Sequence, residues 1–148
     1  MPIITGEIVR DGAIIDVLIG VSGNRQSRLL SVGFRVPATI PVRAVIDTGS
    51  HLTGLMPSVF RALEIQPFRY LPIRTPSTKP DSPHWCDQYD VSLTLVSGEV
   101  LKYLPSVHAI ASEDFDEEEG VQALIGRDVL DLCVFSYYGP HQKFSLAF

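Results

Sequence analysis

The sequence predicts a mainly β domain of mostly antiparallel strands with one or two short helices. Three observations carry that expectation. Apolar segments repeat with a period of two, turn residues stand between them, and no strand alternates regularly with a helix. The chain has 148 residues, enough for one domain (1–148) with a sizeable core. With 45% hydrophobic and 20% charged residues, it is not a disordered, collagen-like or coiled-coil chain.

Residues 13–22 (AIIDVLIGVS) read as a first strand that stops at the turn pair Gly23-Asn24. Residues 28–36 (RLLSVGFRV) read as a second, closed by Pro37. Residues 42–47 (VRAVID) set Val42, Ala44 and Ile46 against Arg43, Val45 and Asp47, which is strand alternation. Pro57 opens a short helix over 57–64, with Val59, Phe60 and Leu63 on its apolar side. Residues 68–75 and 85–96 are further strands around a proline-rich projecting loop, 75–84 (TPSTKPDSPH). Segments 89–96 and 99–110 flank Ser97-Gly98 as a hairpin. Residues 121–125 form a strand, 126–132 a short helix, and 133–138 and 143–148 two closing strands around Gly139-Pro140.

Charge and cysteine usage narrow the function classes. Net charge is −5, but residues 113–119 (EDFDEEE) hold six of the 17 acids, so the rest is nearly neutral and the run reads as a solvated surface loop. Lys and Arg are not clustered as nucleic-acid binding requires. No apolar run approaches the roughly 20 residues of a membrane span. The N-terminus has no basic start leading into an apolar stretch, and a cytoplasmic location is expected. Cys86 and Cys133 make no disulfide framework, and His84-Trp85-Cys86 stands alone, so no metal site is expected.

The chemistry is carried by Ala44-Val45-Ile46-Asp47-Thr48-Gly49-Ser50. A carboxylate at a strand end is rigid yet faces outward. Gly49 lets the backbone approach it, and main-chain N–H groups with the Ser50 hydroxyl are placed to hold it. Taken alone, these letters also describe an ordinary β-turn. Downstream stands Ala123-Leu124-Ile125-Gly126-Arg127-Asp128-Val129-Leu130, two apolar residues and a glycine leading into a short helix.

In this order the two segments resemble the retropepsins, the single-domain aspartic proteases of retroviral type. The likeness runs over about residues 13–148. It implies a closed retropepsin-like acid-protease barrel with Asp47 catalytic and Thr48, Gly49 and Ser50 supporting it. Leu124, Ile125, Gly126, Arg127 and Asp128 would form the family's second loop. Leu124-Ile125-Gly126 would pass through a loop beside the catalytic turn, Gly126 allowing close approach. Arg127 would lie inward. Its usual Asp partner is replaced here by His51, leaving Asp128, backbone carbonyls or solvent as its partner. Thr75, Pro76, Ser77, Thr78, Lys79 and Pro80 map to the flap, though a plain surface loop fits the same residues.

The resemblance further implies an aspartic endopeptidase that hydrolyses peptide bonds with a water activated between two Asp47 carboxylates. One motif per chain then requires a symmetric homodimer, with Thr48 bonding across the axis. The expected partners are a peptide or protein substrate and a second copy, with no nucleic acid, membrane, metal or cofactor. The pH optimum would be acidic, because a monoprotonated pair is required. Residues 143–148 would enter the dimer sheet or form an intramolecular edge strand. The alternative readings are a catalytically silent retropepsin-like binding or dimerisation module and a generic ligand-binding β-barrel. A Ser50-His51 hydrolase lacks an oxyanion element.

Overall fold

A computed structural model describes residues 1–75, 78–115 and 120–148. Among these, ten strands and three short helices follow the order β1 (Ile3–Val9), β2 (Gly12–Val21), α1 (Gly23–Ser31), β3 (Ile40–Ile46), β4 (Gly54–Leu55), α2 (Pro57–Ala62), β5 (Arg69–Ile73), β6 (His84–Ser97), β7 (Val100–Ala111), β8 (Ala123–Ile125), α3 (Arg127–Leu130), β9 (Val134–Tyr138) and β10 (Lys143–Ala147). None of the described helices is long and apolar enough to cross a membrane.

The sheet runs β5-β6-β7-β4-β8-β3-β2-β1-β10-β9, and an extra pairing of β6 with β2 closes six of these strands into a barrel. Pairings are antiparallel except β3 with β8 and β4 with β7, so the expected mainly antiparallel closed barrel is present. Period-two patterning fills its interior. Ala13, Ile15, Val17, Ile19 and Val21 of β2 are buried, as are Val42, Ala44 and Ile46 of β3 and Val91, Leu93 and Leu95 of β6. Burying each Val, Leu or Ile side chain contributes about 1.5–3 kcal/mol. α2 closes one end with Val59 and Phe60, Phe60 stacking on Tyr89 at 3.9 Å between ring centroids.

Three sequence expectations are corrected. Residues 28–36 are not a strand, and Gly23-Asn24 is not a turn but a helix start. Ser22 caps α1, its hydroxyl accepting from Arg25 N–H at 3.3 Å. The helix stops at Gly33, whose φ of +76° lets its N–H reach the Leu30 carbonyl (3.2 Å) while the Phe34 N–H reaches that of Leu29 (2.8 Å). The glycine read as a strand interior is therefore a helix stop. Residues 143–148 are neither free for a partner nor an edge, because β10 lies between β1 and β9 of its own chain. In the acidic run, Glu113 and Asp114 are exposed in a loop as expected, Phe115 packs against the core, and residues 116–119 lie outside the described residues.

Candidate active site

β3 delivers Asp47. After Ile46 the chain leaves the sheet, with Asp47 N–H donating to the Ile125 carbonyl at 3.0 Å. The Gly49 N–H donates to Asp47 Oδ1 at 2.9 Å, and the Ser50 N–H to the Asp47 carbonyl at 3.2 Å. One carboxylate oxygen is thus held by its own turn. The Ser50 hydroxyl, expected to help hold the carboxylate, instead donates to the Leu52 carbonyl at 2.6 Å. Thr48 is exposed, its carbonyl taken by Arg127 Nη1 at 3.1 Å.

The second loop crosses directly behind the first. A Cβ on Gly126 would lie 2.6 Å from both the carbonyl carbon and oxygen of Leu52 and 3.0 Å from the Thr53 nitrogen. Only glycine fits there. The Gly126 N–H donates to Thr53 Oγ1 (3.2 Å), the Arg127 N–H to the Ser50 carbonyl (2.9 Å), and the Asp128 N–H to the His51 carbonyl (3.3 Å).

The inward position expected of Arg127 is taken by Asp128. Arg127 is exposed rather than inward, and a backbone carbonyl is its partner. Asp128 is the inward residue. Its carboxylate accepts from the Thr53 hydroxyl (2.7 Å), the Thr53 N–H (3.0 Å) and the Val129 N–H (2.9 Å). Thr53 is fully buried, and nothing in its local sequence singled it out. Thr53→Val strips the Oγ1 link between the two loops and leaves the Gly126 N–H unpaired. Urea unfolding of this variant is expected to show a loss of about 1–3 kcal/mol.

Asp47 opens into a cleft of about 620 Å³. Its floor includes Asp47, His51, Leu124 and Arg127, and its roof is the β5–β6 hairpin through Leu71, Ile73, Arg74, Thr75 and His84. Of the six flap residues read from the sequence, Thr75 lines this cleft, and Thr78 braces it by donating from Oγ1 to the Thr75 carbonyl (2.8 Å). Lys79 and Pro80 are exposed beyond the lining, and Pro76 and Ser77 lie outside the described residues. Among the described residues, the hairpin arms line the roof through Leu71, Pro72, Ile73 and His84. Trp85, 49% exposed, packs on the sheet by stacking against Tyr70 of β5.

Cys86 faces the same cleft from β6. Burial, then the nearby carboxylates of Asp114, Asp87 and Glu113, push its thiol above the ordinary range. A raised thiol keeps its proton and is a poor nucleophile. Iodoacetamide at pH 8 should therefore label Cys86 much more slowly in the native protein than in urea, as peptide mass mapping would read.

No protein-family model matches the sequence, and no curated protein matches it significantly. Among solved structures, the chain is similar to the crystal structure of a retropepsin-like aspartic protease from Rickettsia conorii. The TM-score is 0.60 with 15% sequence identity, covering 99% of this chain and 91% of that one. The fold is retropepsin-like. Within this retropepsin-like barrel, the strand-end carboxylate, the glycine crossing and the covering hairpin occur in the order that the sequence implied.

Proposed function

We propose that this chain is an aspartic endopeptidase acting as a symmetric homodimer. One observation carries the proposal. Asp47, its Oδ1 fixed by the Gly49 N–H, lies at a strand end and lines a hairpin-roofed cleft in a retropepsin-like barrel. Each chain brings one such carboxylate, and the second comes from the partner copy.

A water sits between the two Asp47 side chains. The ionised one takes a proton from that water as its oxygen attacks the peptide carbonyl carbon. The protonated one hydrogen-bonds the carbonyl oxygen and then gives it the proton, leaving a neutral gem-diol. Collapse returns a hydroxyl proton to one carboxylate while the other protonates the departing nitrogen, which restores the pair with one proton between them. Like charges held close disfavour double ionisation, so a single shared proton is the resting state. Thr48, exposed beside the carboxylate, supports the pair across the axis. The presence of Asp47, Thr48 and Gly49 together supports turnover over a silent binding module.

The test is digestion of a diverse peptide library from pH 3 to pH 8, with and without a statine-type transition-state mimic, read by mass spectrometry. Cleavage on the acid side that the mimic suppresses is expected. Absence of cleavage throughout, by a folded dimer, would leave the silent module standing in its place.

A further inference from the structure

We propose that α1 and the turn after it form a surface anchor that seats this chain on an anionic lipid leaflet. The anchor lies outside the cleft and does not depend on its chemistry.

A helix of nine residues is marginal in water by itself and owes its stability to packing. α1 (Gly23–Ser31) has little of it, for it contains no buried residue. Its start is tied down, with Ser22 capping it and Gly23 set against Pro105 and Tyr103 of β7. Its far end projects. A Cβ on Gly33 would meet nothing within 4 Å among the described residues. On this projecting turn Leu30 is 61% exposed, Val32 63% and Phe34 66%. The turn is nonetheless fixed in shape, because the Gly33 and Phe34 N–H groups bond back to the Leu30 and Leu29 carbonyls. Three apolar side chains therefore stand on a hydrogen-bonded tip that faces solvent.

Arginines flank that tip. Arg25, Arg28 and Arg35 are all exposed. Among the described residues, none of their guanidinium groups has a hydrogen-bond or ion-pair partner. From Val17 to Ile46 the sequence holds four Arg and no Asp or Glu, in a chain whose net charge is −5. One carboxylate lies close by. Asp90 shares the depression beside Arg25 and Arg28, but its Oδ1 accepts from the Ser106 hydroxyl at 2.6 Å and faces His108 at 3.9 Å.

Unpaired arginines beside projecting apolar side chains match the chemistry of an anionic leaflet. The apolar groups enter the boundary of the acyl chains while the guanidinium groups stay among the headgroup phosphates. A second copy set symmetrically on this tip would instead bring like charges face to face. An interfacial contact needs no spanning run, so the absence of such a run, from which no membrane partner was expected, does not bear on it. The cleft stays free. β3 runs from the α1 connection to Asp47, and its seven residues at roughly 3.3 Å each set the two about 20 Å apart along the strand.

Co-sedimentation with vesicles tests the anchor, using phosphatidylcholine alone and phosphatidylcholine with about one-third phosphatidylserine. Two variants stand beside the parent: Arg25→Gln with Arg28→Gln and Arg35→Gln, and Val32→Ser with Phe34→Ser. All these positions are exposed, and thermal melting checks that each chain folds. Phe34→Ser alone serves if the serine pair does not fold. The parent is expected to pellet with the anionic vesicles, to be largely released in about 1 M salt, and to ignore the neutral vesicles. The arginine variant should bind about 100-fold more weakly, since each charge near an anionic leaflet is worth about fivefold. The serine variant keeps every charge and should still bind at least about 10-fold more weakly, because it loses the inserted apolar groups. A parent that stays in solution, or either variant binding as tightly as the parent, overturns the anchor. So does a parent that ignores vesicles but binds polyglutamate, which makes an acidic polypeptide the occupant. Loss of self-association in the serine variant overturns it as well, by making a second copy the occupant.

Discussion

A chain carrying Asp47→Asn should fold and self-associate like the parent and lose peptide cleavage by about 10³-fold or more. Asn keeps the size of Asp and an oxygen to accept the Gly49 N–H, so the 2.9 Å contact that shapes the turn survives. What it loses is the proton chemistry. An amide neither takes a proton from water nor returns one to a leaving nitrogen. Positioned general acid–base groups are worth about 10²–10⁴-fold each, and in a symmetric dimer one substitution removes both. Initial rates on a peptide cleaved by the parent, beside thermal melting and sedimentation, separate loss of chemistry from loss of fold. An Asn variant as fast as the parent would show that Asp47 does no chemistry.

The second large effect belongs to Gly126→Ala. The added methyl would sit 2.6 Å from two backbone atoms of Leu52 and 3.0 Å from the Thr53 nitrogen, where carbon contacts prefer about 3.5–4.0 Å. No flexible side chain is there to yield. Thr53 cannot move aside either, since its N–H and hydroxyl are both committed to Asp128. Overpacking costs about 1–3 kcal/mol when side chains adjust and more when backbone must. Loss of more than about 3 kcal/mol is therefore expected, read as a lower urea midpoint or as loss of soluble protein. A midpoint within error of the parent would mean that the two loops do not cross as closely as described.

Most of the barrel was legible because its signals are local. The alternation in β2 and β3, Pro57 at the start of α2 and the turn pairs between hairpin strands each declare themselves within ten residues. What stayed hidden is long-range or ambiguous. β1 looks unpromising with Gly6 in its middle, and the reason lies at the other end of the chain. A side chain at Gly6 would collide with the Phe144 ring at 2.6 Å. β4 is two residues long and exists only through its partners β7 and β8. The α1 region has the look of a strand because Leu29, Leu30, Val32, Phe34 and Val36 supply enough apolar residues for one, whereas Gly33 at positive φ ends a helix.

The candidate site divides in the same way. Asp47 and Gly126 were singled out by the resemblance that the two segments carry together, and at Gly126 the close approach leaves no room for a Cβ. The inward turn of Asp128 in place of Arg127 was not. Which of two adjacent polar residues turns inward depends on Thr53, 75 residues away in sequence from Asp128. Likewise the proline-rich tip stands out in the sequence, whereas the part that Leu71 and Ile73 of the hairpin arm play in lining the cleft depends on the pairing of β5 with β6.

The loop crossing also has a consequence in time. Thr53 and Gly126 leave the ribosome far apart, and contacts of such separation close late. Until α3 has emerged, the Asp47 turn lacks the strand behind it and the carboxylate that pins Thr53. A chain that has not yet reached α3 therefore lacks both of these supports at the Asp47 turn.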